Sequence, residues 1–345
     1  MIINWGVVGA GGIADRRTIP EGIMAADGAR LVAVADVDAT RASQVGAKYG
    51  AAWYTDPQLL LTRSDIDAVY IATPVAHHYQ LILAAARQGK HILCEKPLTL
   101  TVDQGEKAIA VCNQQGVKLA VGYMMRFHGA HQKLKAMLDS HELGQPVLAR
   151  AQLTCWYPPI AGAWRQDLAQ GGGGALMDMA THCIDLLEMF FGPVDRVMAD
   201  VGTITHNYAV DDSALVMLHF RNGAKAEVDS NFNIPDLAAT NVLEVYGTKG
   251  SVIGQGTIGQ GSGGTLLGRI AHCQGGYDAK QERAIKVEEI AFTAVNTYRA
   301  EVEDLMHAIR TGGQPTVDGL AGLHNLRLAL AAYQSAEWGR VVDVA

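Results

Sequence analysis

Cysteine is scarce and scattered: Cys94, Cys112, Cys155, Cys183 and Cys273 are the only five in 345 residues, and no two form a CxxC pair. An odd, widely spaced set excludes a disulfide scaffold and a zinc ribbon, and points to reduced thiols in a cytoplasmic protein. No apolar run approaches the roughly 20 residues that a bilayer crossing requires, so no membrane span is expected. The first residues, Met1-Ile2-Ile3-Asn4, enter a strand pattern without a basic leader, and no signal peptide is expected. Positive charge is also short, with 28 Lys and Arg against 35 Asp and Glu and a formal net charge of −7. That balance offers no broad basic field to nucleic acid or to an anionic membrane. Histidine is plentiful at 12, yet no HExxH or comparable spacing occurs, and no metal site is expected. His128 and His131 can share a helix face and are read as solvated surface histidines.

What is present suits a two-domain globular protein. Hydrophobic residues make up 49% and charged residues 18%, and single cores rarely grow beyond about 250–300 residues. Over residues 1–123, apolar runs (Ile2–Val8, Leu31–Ala35, Ala68–Ala72, His91–Cys94, Lys118–Gly122) alternate with amphipathic segments such as His78–Gln88 and Val102–Gln114. This alternation predicts βαβ units and a doubly wound parallel sheet, in an α/β fold. The texture changes over residues 124–345. A helix around Leu134, Met137 and Leu138 precedes a long strand candidate, Val147–Trp156, and a Gly171–Gly174 run precedes a helical Ala175–Phe191. Arg221-Asn222-Gly223 then separates two strand patterns, and Asn-Gly is the strongest short hairpin signal. Gly254–Gly264 reads as a glycine-rich loop or a plain hairpin connection. Helical patterns over Tyr298–Arg310 and Gly319–Trp338 close what is expected to be an α+β domain on a mostly antiparallel sheet.

Four local signals carry chemistry. Gly9-Ala10-Gly11-Gly12-Ile13-Ala14 follows a strand and opens a helix. Gly9 permits the tight turn, Gly11 lets the backbone approach a pyrophosphate, and Ala14 allows close helix–strand packing, with the phosphate on the free amides of the helix start. Asp36 ends the second strand, where a carboxylate accepts from a ribose 2′-hydroxyl and repels a 2′-phosphate, favouring NAD over NADP. A strand-end turn aspartate is the alternative there, and Arg41 nearby softens the preference and leaves NADP open. Glu95-Lys96-Pro97 follows His91–Cys94, so Lys96 is expected in the crevice at the strand ends, where it can hold a hydroxyl and stabilise its developing charge. An exposed strand-end lysine is the alternative. Asp178 and His182 are one helical turn apart; an aspartate beside a histidine fixes the ring tautomer and stabilises its protonated form, as a general base requires. Asp185 reaches the same side, and a purely structural Asp–His pair is the alternative. Tyr123, Arg126, Tyr157, Trp164 and Arg165 are candidate pocket residues, with rings for the faces of a sugar and arginines for hydroxyls or cofactor phosphate. Each can equally be packing.

The order of these motifs resembles the glucose–fructose oxidoreductase/inositol dehydrogenase family over nearly the whole chain. The resemblance extends through Thr73-Pro74, the glycine run, Tyr246-Gly247-Thr248-Lys249-Gly250-Ser251 and Tyr333-Gln334-Ser335-Ala336. It implies a Rossmann domain joined to a sheet domain through which oligomers (a homodimer or homotetramer) form. It also implies catalytic roles for Lys96, Asp178 and His182. Cofactor contacts are implied from Gly9, Gly11, Gly12, Ile13, Ala14, Asp36, Arg41, Thr73, Pro74, His78, Glu95, Lys96 and Arg126. In the family's TPNxxH pattern, Thr73, Pro74 and His78 match, but Val75 replaces the asparagine. The expected activity is hydride transfer from a secondary hydroxyl of a sugar, sugar derivative or polyol to NAD. Two rivals stand beside it: an NADPH-dependent reductase of a keto-sugar such as an anhydro-ketose, and a non-catalytic dinucleotide-sensing protein.

Overall fold

Residues 1–271, 276–277, 279 and 285–344 are described by the computed structural model; Cys273 lies outside them. The described chain divides into two compact units, Met1–Met124 with Asp167–Gly172 and Asn296–Arg327, and Met125–Gln166 with Gly173–Val295 and Leu328–Ala345.

In the first unit six apolar runs pair as a parallel sheet. They are β1 (Ile3–Val8), β2 (Ala29–Ala35), β3 (Ala52–Tyr54), β4 (Ala68–Ile71), β5 (His91–Cys94) and β6 (Leu119–Val121), in the order β3-β2-β1-β4-β5-β6. The central strands lack polar alternation because helices cover both faces. After the glycine loop the chain forms a π-helical stretch, Ala14–Ile23, that contains Pro20. Proline has no N–H to donate, and such a residue inside a helix is accommodated by a local change of winding.

The division departs from a single cut after residue 123. The helix Thr297–Thr311 buries Val302, Leu305 and Met306 in the same core as Trp5, Ile19, Ile23 and Tyr70. Val121 N–H donates to Val317 O at 2.9 Å, so the segment before the last helix also belongs to the first unit. The apolar stripe of an amphipathic helix says that it must be covered, and here the π-helical stretch Ala14–Ile23 and the first sheet cover it.

Among the described residues the second unit is built on nine strands: β7 (Pro146–Gln152), β8 (Val194–Gly202), β9 (Ser213–Phe220), β10 (Lys225–Asn231), β11 (Leu243–Gly247), β12 (Gly250–Gln255), β13 (Thr265–Ile270), β14 (Glu288–Glu289) and β15 (Val342–Asp343). Their order is β14-β13-β12-β11-β7-β10-β9-β8-β15, and only the β7–β10 pairing is parallel among the described strands. Gly223, at φ +90°, makes the β9–β10 hairpin that Asn222-Gly223 foretells. Residues 256–264 join the antiparallel neighbours β12 and β13, which is the plain hairpin connection. The expected strand Val147–Trp156 is shorter, because β7 stops at Gln152. Beyond it Cys155 and Tyr157 donate instead to Asn231 and Phe232 carbonyls, at 2.9 and 2.8 Å. One sheet face is covered by the helix Thr181–Phe191, while Met198, Leu215 and Met217 stand exposed on the strands.

His128 and His131 are not solvated, contrary to expectation: both are buried, with rings 4.8 Å apart. His128 caps the helix Gly129–Asp139 by accepting from Ala130 N–H at 3.1 Å. Its Nε2 therefore carries the proton and donates to Gly263 O at 3.1 Å, tying down the hairpin connection. His131 Nδ1 donates to Met125 O at 2.8 Å, and burial pushes its pKa down to about 3. The folded value lies below the unfolded value of 6.5, so the unfolded chain binds the extra proton as pH falls. The contribution to stability is complete above pH 6.5 and is lost progressively down to about pH 3. Denaturant unfolding at a series of pH values is expected to show His131→Gln with a shallower acid slope than wild type, by up to about 1.4 kcal/mol per pH unit. Equal slopes would remove His131 as the acid-sensitive group.

Candidate active site

The first unit gathers the cofactor-type residues at the carboxyl ends of its strands. Gly9 follows β1 at φ +87°, and its N–H donates to Ala35 O at 2.9 Å. A Cβ at Gly9 would stand 2.7 Å from the Ala72 main chain and 2.9 Å from Thr73 N, so the turn is open to glycine alone. Gly12, at φ +53°, has open space where a Cβ would point, and partly exposed Ile13 precedes the π-helix, which begins at buried Ala14. Asp36, almost buried after β2, accepts from Asp38 N–H at 3.0 Å and from Arg41 Nη1 at 3.3 Å. The Arg41 side chain also lies against the loop, its Cδ 2.6 Å from where a Gly11 Cβ would be. Asp36 and Arg41 therefore act as a pair, placed beside the phosphate-type loop.

Thr73 and Pro74 follow β4, and Glu95 and Lys96 follow β5; the Lys96–Pro97 peptide is cis. His78, expected to touch cofactor, does something else. It is fully buried, with Nδ1 3.0 Å from Pro97 O and Nε2 3.0 Å from Thr73 O, and burial lowers its pKa. Its ring has no surface left for a ligand, so it staples together the loops after β4 and β5. Glu95 likewise turns inward. Its carboxylate accepts from the buried Tyr70 hydroxyl, which in turn accepts from Thr18 Oγ1 at 3.0 Å on the helix after the glycine loop. Lys96, the next residue, is partly exposed.

Tyr123 is a core residue, 1% exposed, with its hydroxyl donating to Asn325 Oδ1 at 2.8 Å. Packing, the alternative reading for this tyrosine, describes its position.

In the second unit Asp178 lies on a π-turn, Leu176–Ala180, and His182 on the following α-helix, Thr181–Phe191. Asp178 Oδ2 receives Arg165 Nε at 3.2 Å, the Arg165 guanidinium lies 4.3 Å from the Trp164 ring centroid, and Arg165 also hydrogen-bonds Tyr157. Arg165 thus joins two further expected pocket residues, Trp164 and Tyr157, to the expected catalytic Asp178 within one unit. Arg126 is committed differently. It forms a two-pronged ion pair with Asp185 (Nε–Oδ2 2.8 Å, Nη2–Oδ1 2.7 Å), which burial raises above the usual carboxylate range despite the arginine. Removing one partner of such a buried pair costs about 3–5 kcal/mol, which marks Arg126 as structural first.

Several neighbours escaped the sequence reading. Tyr208 donates to Tyr157 O at 3.1 Å and stacks on His206 at 5.3 Å, while Trp156 meets His206 edge-on at 4.9 Å. Burial, with Asp212 and Asp211 adding to it, keeps the Tyr208 phenol protonated, and burial, with Asp178 adding to it, pushes the Cys155 thiol up to about 12. The cluster offers flat faces and neutral hydroxyls next to one ion pair, a combination suited to a polyhydroxylated ring. No group of side chains able to hold a metal ion occurs among the described residues.

Comparison with known proteins agrees with both halves. The profile of the oxidoreductase family with NAD-binding Rossmann fold matches residues 3–123, and that of the GFO/IDH/MocA C-terminal domain matches residues 131–253. The chain is 31% identical to D-xylose 1-dehydrogenase (NADP(+)) 2 of Haloferax volcanii, over 99% of each chain. It is 27% identical to 1,5-anhydro-D-fructose reductase of Ensifer adhaerens, over 99% of this chain and 98% of that one. The aldose-aldose oxidoreductase of Caulobacter crescentus, solved with glycerol, superposes with a TM-score of 0.88 at 26% identity, covering 99% and 100% of the two chains. Glycine loop, sheet order, strand-end lysine and both matched halves make this chain a member of the GFO/IDH/MocA oxidoreductase family, with that family's NAD-binding Rossmann fold.

Proposed function

We propose that this chain oxidises a secondary hydroxyl of a sugar, sugar derivative or polyol, with NAD as hydride acceptor. The observation that carries the reading is the shared edge of the first sheet: the glycine loop after β1, Asp36 after β2 and Lys96 after β5 all emerge at strand carboxyl ends, where dinucleotides and their substrates bind in such sheets. A dinucleotide fits the residues there, because the Gly9 turn excludes any Cβ and the Asp36 carboxylate presents acceptors beside the loop. When bound, the nicotinamide supplies the hydride chemistry, so no metal is required.

The protein's own residues then have distinct tasks. His182 removes the hydroxyl proton, because an alkoxide releases hydride more readily than an alcohol. Asp178 orients the imidazole and stabilises its charged form, and Arg165 holds Asp178 in place. Lys96 steadies the oxygen and its developing charge. Tyr157, Trp164 and Arg165 line the substrate's ring faces and hydroxyls. Tyr123 and His78 are left out of this set for the packing reasons above, and Arg126 reaches cofactor only if it also serves Asp185.

A second reading, NADPH-dependent reduction of a keto-sugar, is favoured by one observation: Arg41 partly neutralises Asp36 and can receive a 2′-phosphate. The proposal extends to a homodimer or homotetramer. Its support is the exposed Met198, Leu215 and Met217 on the uncovered sheet face, which another copy would bury. A cytoplasmic location is part of the same reading, supported by Cys94, Cys112, Cys155 and Cys183 standing as thiols.

A panel of sugars and polyols with NAD, followed by reduced-cofactor absorbance, is expected to give turnover. On the best substrate, Lys96→Ala and His182→Ala are each expected to lower kcat by roughly a hundredfold or more, with NAD affinity much less changed. Near-normal turnover in His182→Ala would remove the histidine from the reaction. In separate titrations of intrinsic tryptophan fluorescence, NAD is expected to bind about tenfold or more tighter than NADP. Equal affinities would favour the second reading and place the 2′-phosphate on Arg41.

A further inference from the structure

We propose that Asp211, assisted by Tyr333, is the positioning residue of the catalytic helix: it fixes the turn from which Asp178 and His182 project. The inference rests on the catalytic assignment of that pair given above. Three consecutive amides at the start of the helix converge on this one residue. Gly174 N–H donates to Asp211 Oδ1 at 2.8 Å, Leu176 N–H to Oδ2 at 2.8 Å, and Ala175 N–H to the Asp211 main-chain carbonyl at 3.0 Å. Such amides are the unpaired positive end of a helix, and an ionised carboxylate is their strongest partner. Next, Gly174 O accepts from Asp178 N–H at 2.9 Å. A single residue, Gly174, therefore links the Asp211 carboxylate, through its N–H, to the backbone of Asp178, through its carbonyl.

Tyr333 completes the clamp. Its hydroxyl donates to Asp211 Oδ1 at 2.7 Å, and burial together with the Asp211 charge raises the phenol far above its ordinary range, so the donor proton stays in place. The glycine run gains a reason from this arrangement. A Cβ at Gly173 would run into the Tyr333 hydroxyl, and one at Gly174 into the Asp211 backbone. Glycine is needed at both positions so that the segment before β9, which carries Asp211, and the last helix can close on the helix start. A displacement of about 1 Å in such a site can cost a hundredfold in rate, so a clamp on the first turn is a kinetic device as well as a structural one.

Asp211→Asn is the direct test, because one amide oxygen cannot accept from both Gly174 and Leu176, and the NH2 group must face one of the two donors. Four variants are compared on the best substrate: Asp211→Asn, Tyr333→Phe, His182→Ala and, as a stability control in the sheet core, Val216→Ala. The readouts are kcat, substrate KM, NAD affinity and Tm. Asp211→Asn is expected to lower kcat about 10- to 100-fold with KM and NAD affinity within about threefold, and Tyr333→Phe by about three- to tenfold. Val216→Ala is expected to lose comparable Tm while keeping kcat within about twofold. The proposal is overturned if Asp211→Asn and Tyr333→Phe lose no more kcat than Val216→Ala while His182→Ala loses a hundredfold. Normal turnover in His182→Ala would instead defeat the catalytic assignment, and the positioning role with it. Should Asp211→Asn fail to fold, Tyr333→Phe, which leaves the carboxylate in place, decides by the same criteria.

Discussion

Parallel pairing fixes the chemistry of the first unit. Because β1 pairs in parallel with both β2 and β4, and β4 with β5, all four strands end at the same edge, and each hands its next residues to that edge. Gly9, Asp36, Thr73 and Lys96 are separated by tens of residues in sequence, and this hydrogen-bond direction collects them. Side chains behind the edge hold it in place. Buried His78 bridges the loops after β4 and β5, and the Thr18–Tyr70–Glu95 chain links the helix after the glycine loop to the strand that delivers Lys96. Rigid backing of this kind fixes the backbone from which the Lys96 side chain leaves the sheet edge.

The second unit solves the same problem with carboxylates. Asp211 and Asp212 are adjacent and both buried, yet they serve different segments: Asp211 takes the amides of Gly174 and Leu176, while Asp212 takes those of Ile204, Thr205 and His206 at 2.7–2.8 Å. Burial alone would raise the Asp212 carboxyl, but the three amides outweigh it and hold the group below its ordinary value. One dipeptide thus anchors two segments. His206, held by the second of these anchors, stacks on Tyr208, whose hydroxyl donates to the Tyr157 carbonyl.

Much of this was legible in the sequence because it is local. The strand His91–Cys94, the helix Val102–Gln114 and the hairpin at Asn222-Gly223 follow from apolar runs and turn chemistry within a few residues of themselves. The glycine loop, the acid after β2 and the lysine after β5 were visible for the same reason. What escaped depends on partners far away in the chain. The helix Thr297–Thr311 displays an apolar stripe, but nothing in the stripe says that the first sheet receives it. His128 and His131 look like surface residues until the carbonyls of Met125 and Gly263 are placed against them. Asp211 and Tyr333 bond across 122 residues, and Arg126 and Asp185 across 59, and neither pair has a spacing signature.

Hydride transfer moves a carbon-bound hydrogen of the substrate to the cofactor, and isotopic labelling follows that hydrogen. The best sugar or polyol from the panel is deuterated at its oxidised carbon and turned over with NAD, and the reduced cofactor is analysed by mass and by proton resonance. The deuterium is expected at nicotinamide C4, on one face only, in proportion to turnover. Reduced cofactor without the label, or with hydrogen drawn from solvent water, would contradict it.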